Sequence, residues 1–263
     1  MDNLNSKLFR AVAVGNETTT KLLLESGADI NKAHIDGETP LYIAAQKGYV
    51  EIVKLLLDSG ADKDKDNDNG ATPLYIAAQN GHEACVKLLL DSGADKDKAE
   101  KRGRTPLFVA AREGHDACVK LLLIDAGADI NKASKNGCTP LYVAAQKGHD
   151  SCVKLLLDSG ADKDKANENG RTPQHIAALM RHDEYFRYDD DEGGWDACVK
   201  LLLEAGANKN KAQKDGRTPL YAAAQNDLLI ELEAEIGVQT DEAQKDGRTP
   251  LYAAAHNDLL TVD

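Results

Sequence analysis

Nothing in this chain is long and apolar enough to span a bilayer. No stretch approaches the roughly 20 apolar residues a spanning helix needs, and the amino terminus, MDNLNSKLFR, has no charged flank followed by an apolar core. A non-secreted protein with no membrane insertion is expected, cytoplasmic, with the nucleus as the alternative compartment. An excess of basic charge is also lacking. The net charge is -12 and the pI near 5.1, which disfavours the phosphate-tracking surface of a nucleic-acid binder and suits a partner with basic surface. Catalytic signatures are missing as well: there is no Gly-x-Ser-x-Gly elbow, phosphate-cradling glycine loop, His-Glu-x-x-His or paired Cys-x-x-Cys. The expectation is a protein that is not an enzyme and has no cofactor or metal. His182 beside the acids Asp183 to Glu192 is the nearest thing to a cation site, but its spacing matches no Ca²⁺ loop.

Cysteine is sparse and odd in number. Of five, Cys85, Cys118, Cys152 and Cys198 share the context Cys-Val-Lys-Leu-Leu-Leu. Equivalent positions in stacked helical units lie roughly 8 to 10 Å apart, too far for a disulfide, so these four read as reduced core thiols. That usage fits a reducing compartment.

Proline occurs only after threonine, and that restriction exposes the organisation of the chain. Pro40, Pro73, Pro106, Pro140, Pro173, Pro219 and Pro250 follow one another at spacings of 33, 33, 34, 33, 46 and 31 residues. In the unit from Asp36 to Asp62, Thr39 can cap a helix whose first position, Pro40, has a preset φ and no N–H to leave unpaired. Leu41, Ala44 and Ala45 then make a narrow apolar stripe, and Gly48 suits the left-handed stop of that helix. A second helix carries Val50, Ile52, Val53, Leu55, Leu56 and Leu57 and stops at Gly60. A turn pair such as Asp36-Gly37 or Asn69-Gly70 precedes each Thr-Pro, and most of these pairs are hairpin-turn chemistry.

A unit of this kind cannot bury its own stripe and must stack on its neighbours. The Thr-Pro-Leu-Tyr, Ala-Ala and Gly-Ala-Asp sequences, repeated in phase, resemble the ankyrin repeat. The resemblance implies an all-α repeat solenoid of stacked helix-turn-helix units with β-hairpin or turn fingers, about seven to eight repeats in a single domain over residues 1-263. Units are expected at about 1-32, 33-65, 66-98, 99-132, 133-165, 166-211, 212-242 and 243-263, the last one partial. In the first, Ser6 to Phe9 align with Thr39 to Tyr42, as in an amino-terminal capping repeat. His175 occupies the position where the family usually has histidine and where this chain mostly has tyrosine, a change that puts the family's bracing of finger and helix in question. His82, His115 and His149 recur once per unit and read as structural. Lys63, Lys96 and Lys163 are expected to lay their stems along the fingers.

The spacing of 46 marks an insertion, expected as a loop over 179-195 reading LMRHDEYFRYDDDEGGW, which holds the only Trp. Tyr185, Phe186 and Tyr188 are its candidate anchors for a partner, set against the alternative that the aromatics fold back on the helices. The resemblance implies partners lying across the finger tips and the concave row of first helices. There the second and third units present Ile35, Asp36, Glu38, Asp68 and Asn69, and the later ones become basic. Lys101, Arg102, Arg104, Lys135 and Arg171 stand at tips, and Arg112 and Lys147 on first helices. These residues are the candidate partner-binding set, in a scaffold expected to be monomeric and to hold a protein or peptide. The abrupt end at Asp263 raises the alternative of a recruiting or autoinhibitory segment of a larger enzyme or signalling protein.

Overall fold

The computed structural model describes residues 4-180 and 194-224. The chain divides into two compact units, Met1–Lys135 and Asn136–Asp263. In the first unit, helices α1 (Leu4–Ala13) and α2 (Glu17–Glu25), α3 (Pro40–Lys47) and α4 (Val50–Asp58), α5 (Pro73–Gln79) and α6 (Glu83–Asp91), and α7 (Pro106–Glu113) and α8 (Asp116–Lys120) form successive pairs. In the second, α9 (Pro140–Lys147) pairs with α10 (Asp150–Asp158), α11 (Pro173–Met180) with α12 (Gly194–Glu204), and α13 (Pro219–Ala224) follows. Helices of one pair touch, and first helices pack on first helices of the next pair within each unit.

Threonine caps these helices as its position predicts. Thr39 Oγ1 accepts from the Tyr42 N–H at 3.1 Å, and Thr72, Thr105 and Thr139 do the same for Tyr75, Phe108 and Tyr142. Gly48, Gly114 and Gly148 end their helices in the left-handed region, with φ of 73 to 76°. The first helices are buried more widely than a stripe. Leu41, Tyr42, Ile43, Ala44 and Ala45 are all interior, because a first helix is flanked by its own partner and by the first helices on either side. The second helices bury one face only, as with Ile52, Val53 and Leu56 of α4. Each fully buried leucine contributes about 2 kcal/mol.

Four details depart from expectation. Among the described residues the fingers contain no strand. The turns are closed by two main-chain bonds, such as Asn67 N–H to the Ala71 carbonyl at 3.0 Å and Gly70 N–H to the Asn67 carbonyl at 2.8 Å, and only Asp36-Gly37 has both central residues at positive φ. The other turns put glycine alone there, so they are not the two-residue hairpins that the Asn-Gly pairs suggested. Ser6, aligned with Thr39, lies inside α1 (Leu4–Ala13) rather than ahead of a helix. The insertion is narrower than 179-195, since Leu179 and Met180 continue α11 while Gly194 and Trp195 open α12. Finally, the extra residue Ile124 widens the end of α8 into a π turn over Leu121–Asp125, with Ala126 N–H bonding the Leu121 carbonyl. Leu122 stays in the core and Ile124 is pushed out to 61% exposure.

Cys85, Cys118, Cys152 and Cys198 are buried and Cys138 is half-buried. Burial pushes the thiols of Cys85 and Cys118 up to about 11 and that of Cys198 to about 12. Titration of native protein with a thiol-reactive dye at pH 8 is expected to label Cys138 fast and the other four only on unfolding in urea. Two or more fast thiols would contradict the buried placement.

Candidate partner-binding surface

The fingers are held by a ladder of main-chain bonds between successive repeats. In the first unit Asp68 N–H donates to the Asp36 carbonyl (2.9 Å), Lys101 to Asn69 (3.0 Å) and Lys135 to Arg102 (2.9 Å). In the second, Glu168 donates to Asn136 and Lys214 to Asn169, both at 3.1 Å. Two of the fingers are also folded from within by asparagine. Asn67 Oδ1 accepts from the N–H groups of Asn69 and Ala71, and Asn167 Oδ1 from those of Asn169 and Arg171. These are Asx turns that leave little backbone freedom.

At the equivalent position of the fourth repeat stands Glu100. Its Oε1 accepts from Arg102 N–H at 2.9 Å and Arg104 N–H at 3.2 Å, as the asparagines do, and also from Arg104 Nε at 3.0 Å. Burial alone would raise its carboxyl, but the hydrogen bonds from Arg104 and the two main-chain N–H groups prevail and hold it below the usual carboxylate range.

The candidate basic residues therefore fall into two sets. Lys101, Arg102 and Lys135 are exposed at finger tips, and Lys147 is exposed at the last turn of α9. Arg104, Arg112 and Arg171 are half-buried and engaged internally: Arg104 with Glu100, Arg112 with Glu113, and Arg171 Nε with Gln213 Oε1 at 2.9 Å. Tyr185, Phe186 and Tyr188 lie outside the described residues.

Trp195 folds back on the helices, the alternative set against a partner contact. Its indole Nε1 donates to the Gln146 carbonyl at 3.1 Å, and its ring lies over Gly148, where a Cβ would come within 3.2 Å of it. His82 and His115 make the same arrangement one repeat apart. Each Nε2 bonds a carbonyl of the preceding repeat, Gln46 and Gln79, at 3.0 Å, with the ring over Gly48 and Gly81. Trp195 thus substitutes for the recurring histidine, and only glycine tolerates the close approach at positive φ.

His175 is fully buried. Its Nδ1 accepts from the Thr172 N–H at 3.2 Å and its Nε2 bonds the Arg217 carbonyl at 3.1 Å, joining its own turn to the next finger. Where tyrosine stands instead, the brace is made otherwise: the Tyr142 hydroxyl accepts from Asn167 Nδ2 at 3.2 Å, again on the following finger. The tyrosines are nearly buried, which pushes Tyr42 and Tyr142 up to about 12.

The acid-rich loops after the second helices carry bonds that sequence reasoning missed. Asn31 Oδ1 accepts from Asp62 N–H, Asp64 Oδ1 from Asp95 N–H, Asp97 Oδ1 from Asp129 N–H and Asp164 Oδ1 from Asn208 N–H. Lys65, Lys98 and Lys132 donate their amines to the carbonyls of Asn31, Asp64 and Asp97. The signal was the period itself, since an Asn or Asp followed by a lysine recurred at fixed places in the first six units. Lys63 and Lys163 extend their stems to the helix stop of the next repeat rather than along a finger, each within 4 Å of where a Cβ would stand on Gly93 or Gly206.

Helix pairs with tied fingers, repeated along the described residues, define an all-helical repeat protein. The family model described as ankyrin repeats matches residues 8–100, 61–134, 107–188 and 192–262, and the chain belongs to the ankyrin-repeat family. Ankyrin repeats are generally protein–protein interaction modules, and the family is typically non-catalytic. Comparison with proteins of curated function returned no match. Among the described residues no helix is long and apolar enough to cross a membrane, and no cluster of His, Cys, Asp or Glu is arranged to hold a metal.

Proposed function

We propose that this chain is an interaction scaffold that holds a protein or peptide partner across its finger tips and first helices. The observation that carries the reading is the fixed presentation of Lys101, Arg102 and Lys135. All three are exposed, on fingers that the main-chain ladder and the Glu100 turn hold in place. Side chains displayed on a backbone that does not reorganise lose little entropy on binding. Arg104 supports this surface from beneath through Glu100, and the exposed lysines and Arg102 set on-rate and register.

A pull-down from lysate with the chain and with a Lys101→Glu, Arg102→Glu, Lys135→Glu variant of equal helicity tests the reading. Partners retained by the native chain and lost by the variant are the expected result. An identical partner list for both would remove these tips from the interface. Arg104 and Arg112 are poor choices for charge reversal, because a glutamate at either would face Glu100 or Glu113 and disturb the fold.

A further inference from the structure

Resting on that reading, we propose that the cavity beside the third and fourth fingers is a receptor for a carboxylate side chain of the partner. The cavity measures about 280 Å³ and is lined by Asn69, Tyr75, Gln79, Glu100, Arg102 and Arg104, among others, all within the first compact unit. Its size falls at or below the small end of ligand pockets, which suits a side chain better than a free metabolite.

Its chemistry is dominated by donors. The Glu100 carboxylate is matched by Arg104, and one of its oxygens already receives three N–H groups. Arg104 is held through Nε alone. Its two remaining nitrogens, the whole guanidinium of Arg102 and the side-chain amides of Asn69 and Gln79 have no bond among the described residues. The Tyr75 hydroxyl stays protonated, since burial raises it, and so it can donate. The surplus of donors calls for an acceptor with several lone pairs, and a carboxylate matches the guanidinium fork in geometry and charge.

The rest of the molecule favours a carboxylate carried on a protein. At a net charge of -12 the chain repels a polyanion at long range, whereas a single acid in a peptide of mixed charge meets only the local field of Arg102 and Arg104. Among the described fingers Glu100 is the one carboxylate at this position, where the others have His34, Asn67, Ser134, Asn167 and Gln213. Asn67 and Asn167 fold their turns with the same pattern of main-chain bonds, yet neither holds a guanidinium by its Nε. The carboxylate at position 100 thus orients Arg104 ahead of binding.

The test is selection of random linear peptides displayed on phage against the full chain, followed by fluorescence anisotropy of the selected peptides. The expected result is enrichment of Asp and Glu. Arg102→Gln should weaken binding about tenfold, as should Glu→Gln at one peptide position, with the two changes together costing little more than either alone. Asn69→Ala, which leaves the Glu100 turn intact, should weaken binding several-fold and keeps the test informative if Arg102→Gln disturbs the finger. Selected peptides sensitive to Lys135→Gln or Lys147→Gln but not to Arg102→Gln or Asn69→Ala would overturn the cavity assignment and leave the scaffold reading standing. Failure to retain any peptide would overturn both. Displacement of the peptide by inorganic phosphate at equal or lower concentration than by free glutamate would overturn the choice of carboxylate.

Discussion

Replacing His175 by alanine is expected to lower the stability of the chain by about 4 kcal/mol at pH 7, read from urea unfolding followed by circular dichroism. The ring is fully buried, so its loss opens a cavity, and it strands the Thr172 N–H and the Arg217 carbonyl that it satisfied. The same residue predicts a dependence on acid. Burial is the largest influence and pushes the imidazole down to about 4. The bond to the Arg217 carbonyl and the charge of Asp215 pull upward, while Arg171 and Lys211 push downward. A folded value below the unfolded value near 6.5 means that folding favours the neutral ring. Its contribution is therefore complete above about pH 6.5 and is lost as the pH falls towards 4, by about 1.4 kcal/mol per unit and about 3 kcal/mol in all. Carboxylates titrate in this window too, so the measurement is a difference. His175→Tyr places there the residue that Tyr42, Tyr75 and Tyr142 supply in other repeats and removes the titration. The stability of the native chain minus that of His175→Tyr should fall by about 3 kcal/mol between pH 7 and pH 4. Parallel curves would show that the buried imidazole does not titrate with folding.

The features that could be read from the sequence were those that recur. Thr39 as cap, Pro40 at the first helical position and Gly48 as stop are local chemistry repeated in phase, and each repetition confirms the others. Burial of one face of the second helices followed from the same pattern. The pairing of Arg104 with Glu100 was hidden because it depends on a finger bending back over four residues. In the sequence Arg104 counted as one more free charge at a tip, whereas its guanidinium is tied to a buried carboxylate. Trp195 was misplaced for a different reason. Gly194-Trp195-Asp196-Ala197-Cys198 matches the Gly-His-Asp-Ala-Cys of the fourth repeat, so the alignment that puts the indole in the histidine slot was available. The aromatic cluster just before it drew Trp195 into the insertion instead. The π turn at Leu121–Asp125 could be located from the single spacing of 34, but its form could not. An extra residue in a helix can be expelled as a bulge or looped out at the end, and packing of Leu122 in the core selects the bulge.

Gln174→Leu is expected to raise stability by about 2 kcal/mol, a gain from a single substitution in the core. The equivalent first-helix positions hold Leu41, Leu74, Leu107 and Leu141, each at most 1% exposed, whereas Gln174 is 4% exposed and its Oε1 has no hydrogen-bond partner. A buried carbonyl oxygen that leaves water without a partner costs about 1 to 3 kcal/mol, and a leucine of similar length adds the transfer of its methyl groups. The helix itself is little affected, because both residues have good helix propensity. Adjacent packing supports a gain: α11 lies against α9, α12 and α13, and the position is buried. Since Gln174 adjoins His175, the two substitutions share neighbours and their effects should not add. The double variant Gln174→Leu, His175→Ala is expected to recover less than the full 2 kcal/mol, because the cavity left by the imidazole lets water reach the amide and relieves part of its cost beforehand. Urea midpoints of the four chains measure that coupling directly. A Gln174→Leu chain no more stable than the native one would mean that the Oε1 finds a bond in solution, and the buried polar atom would then not be a weakness of this repeat.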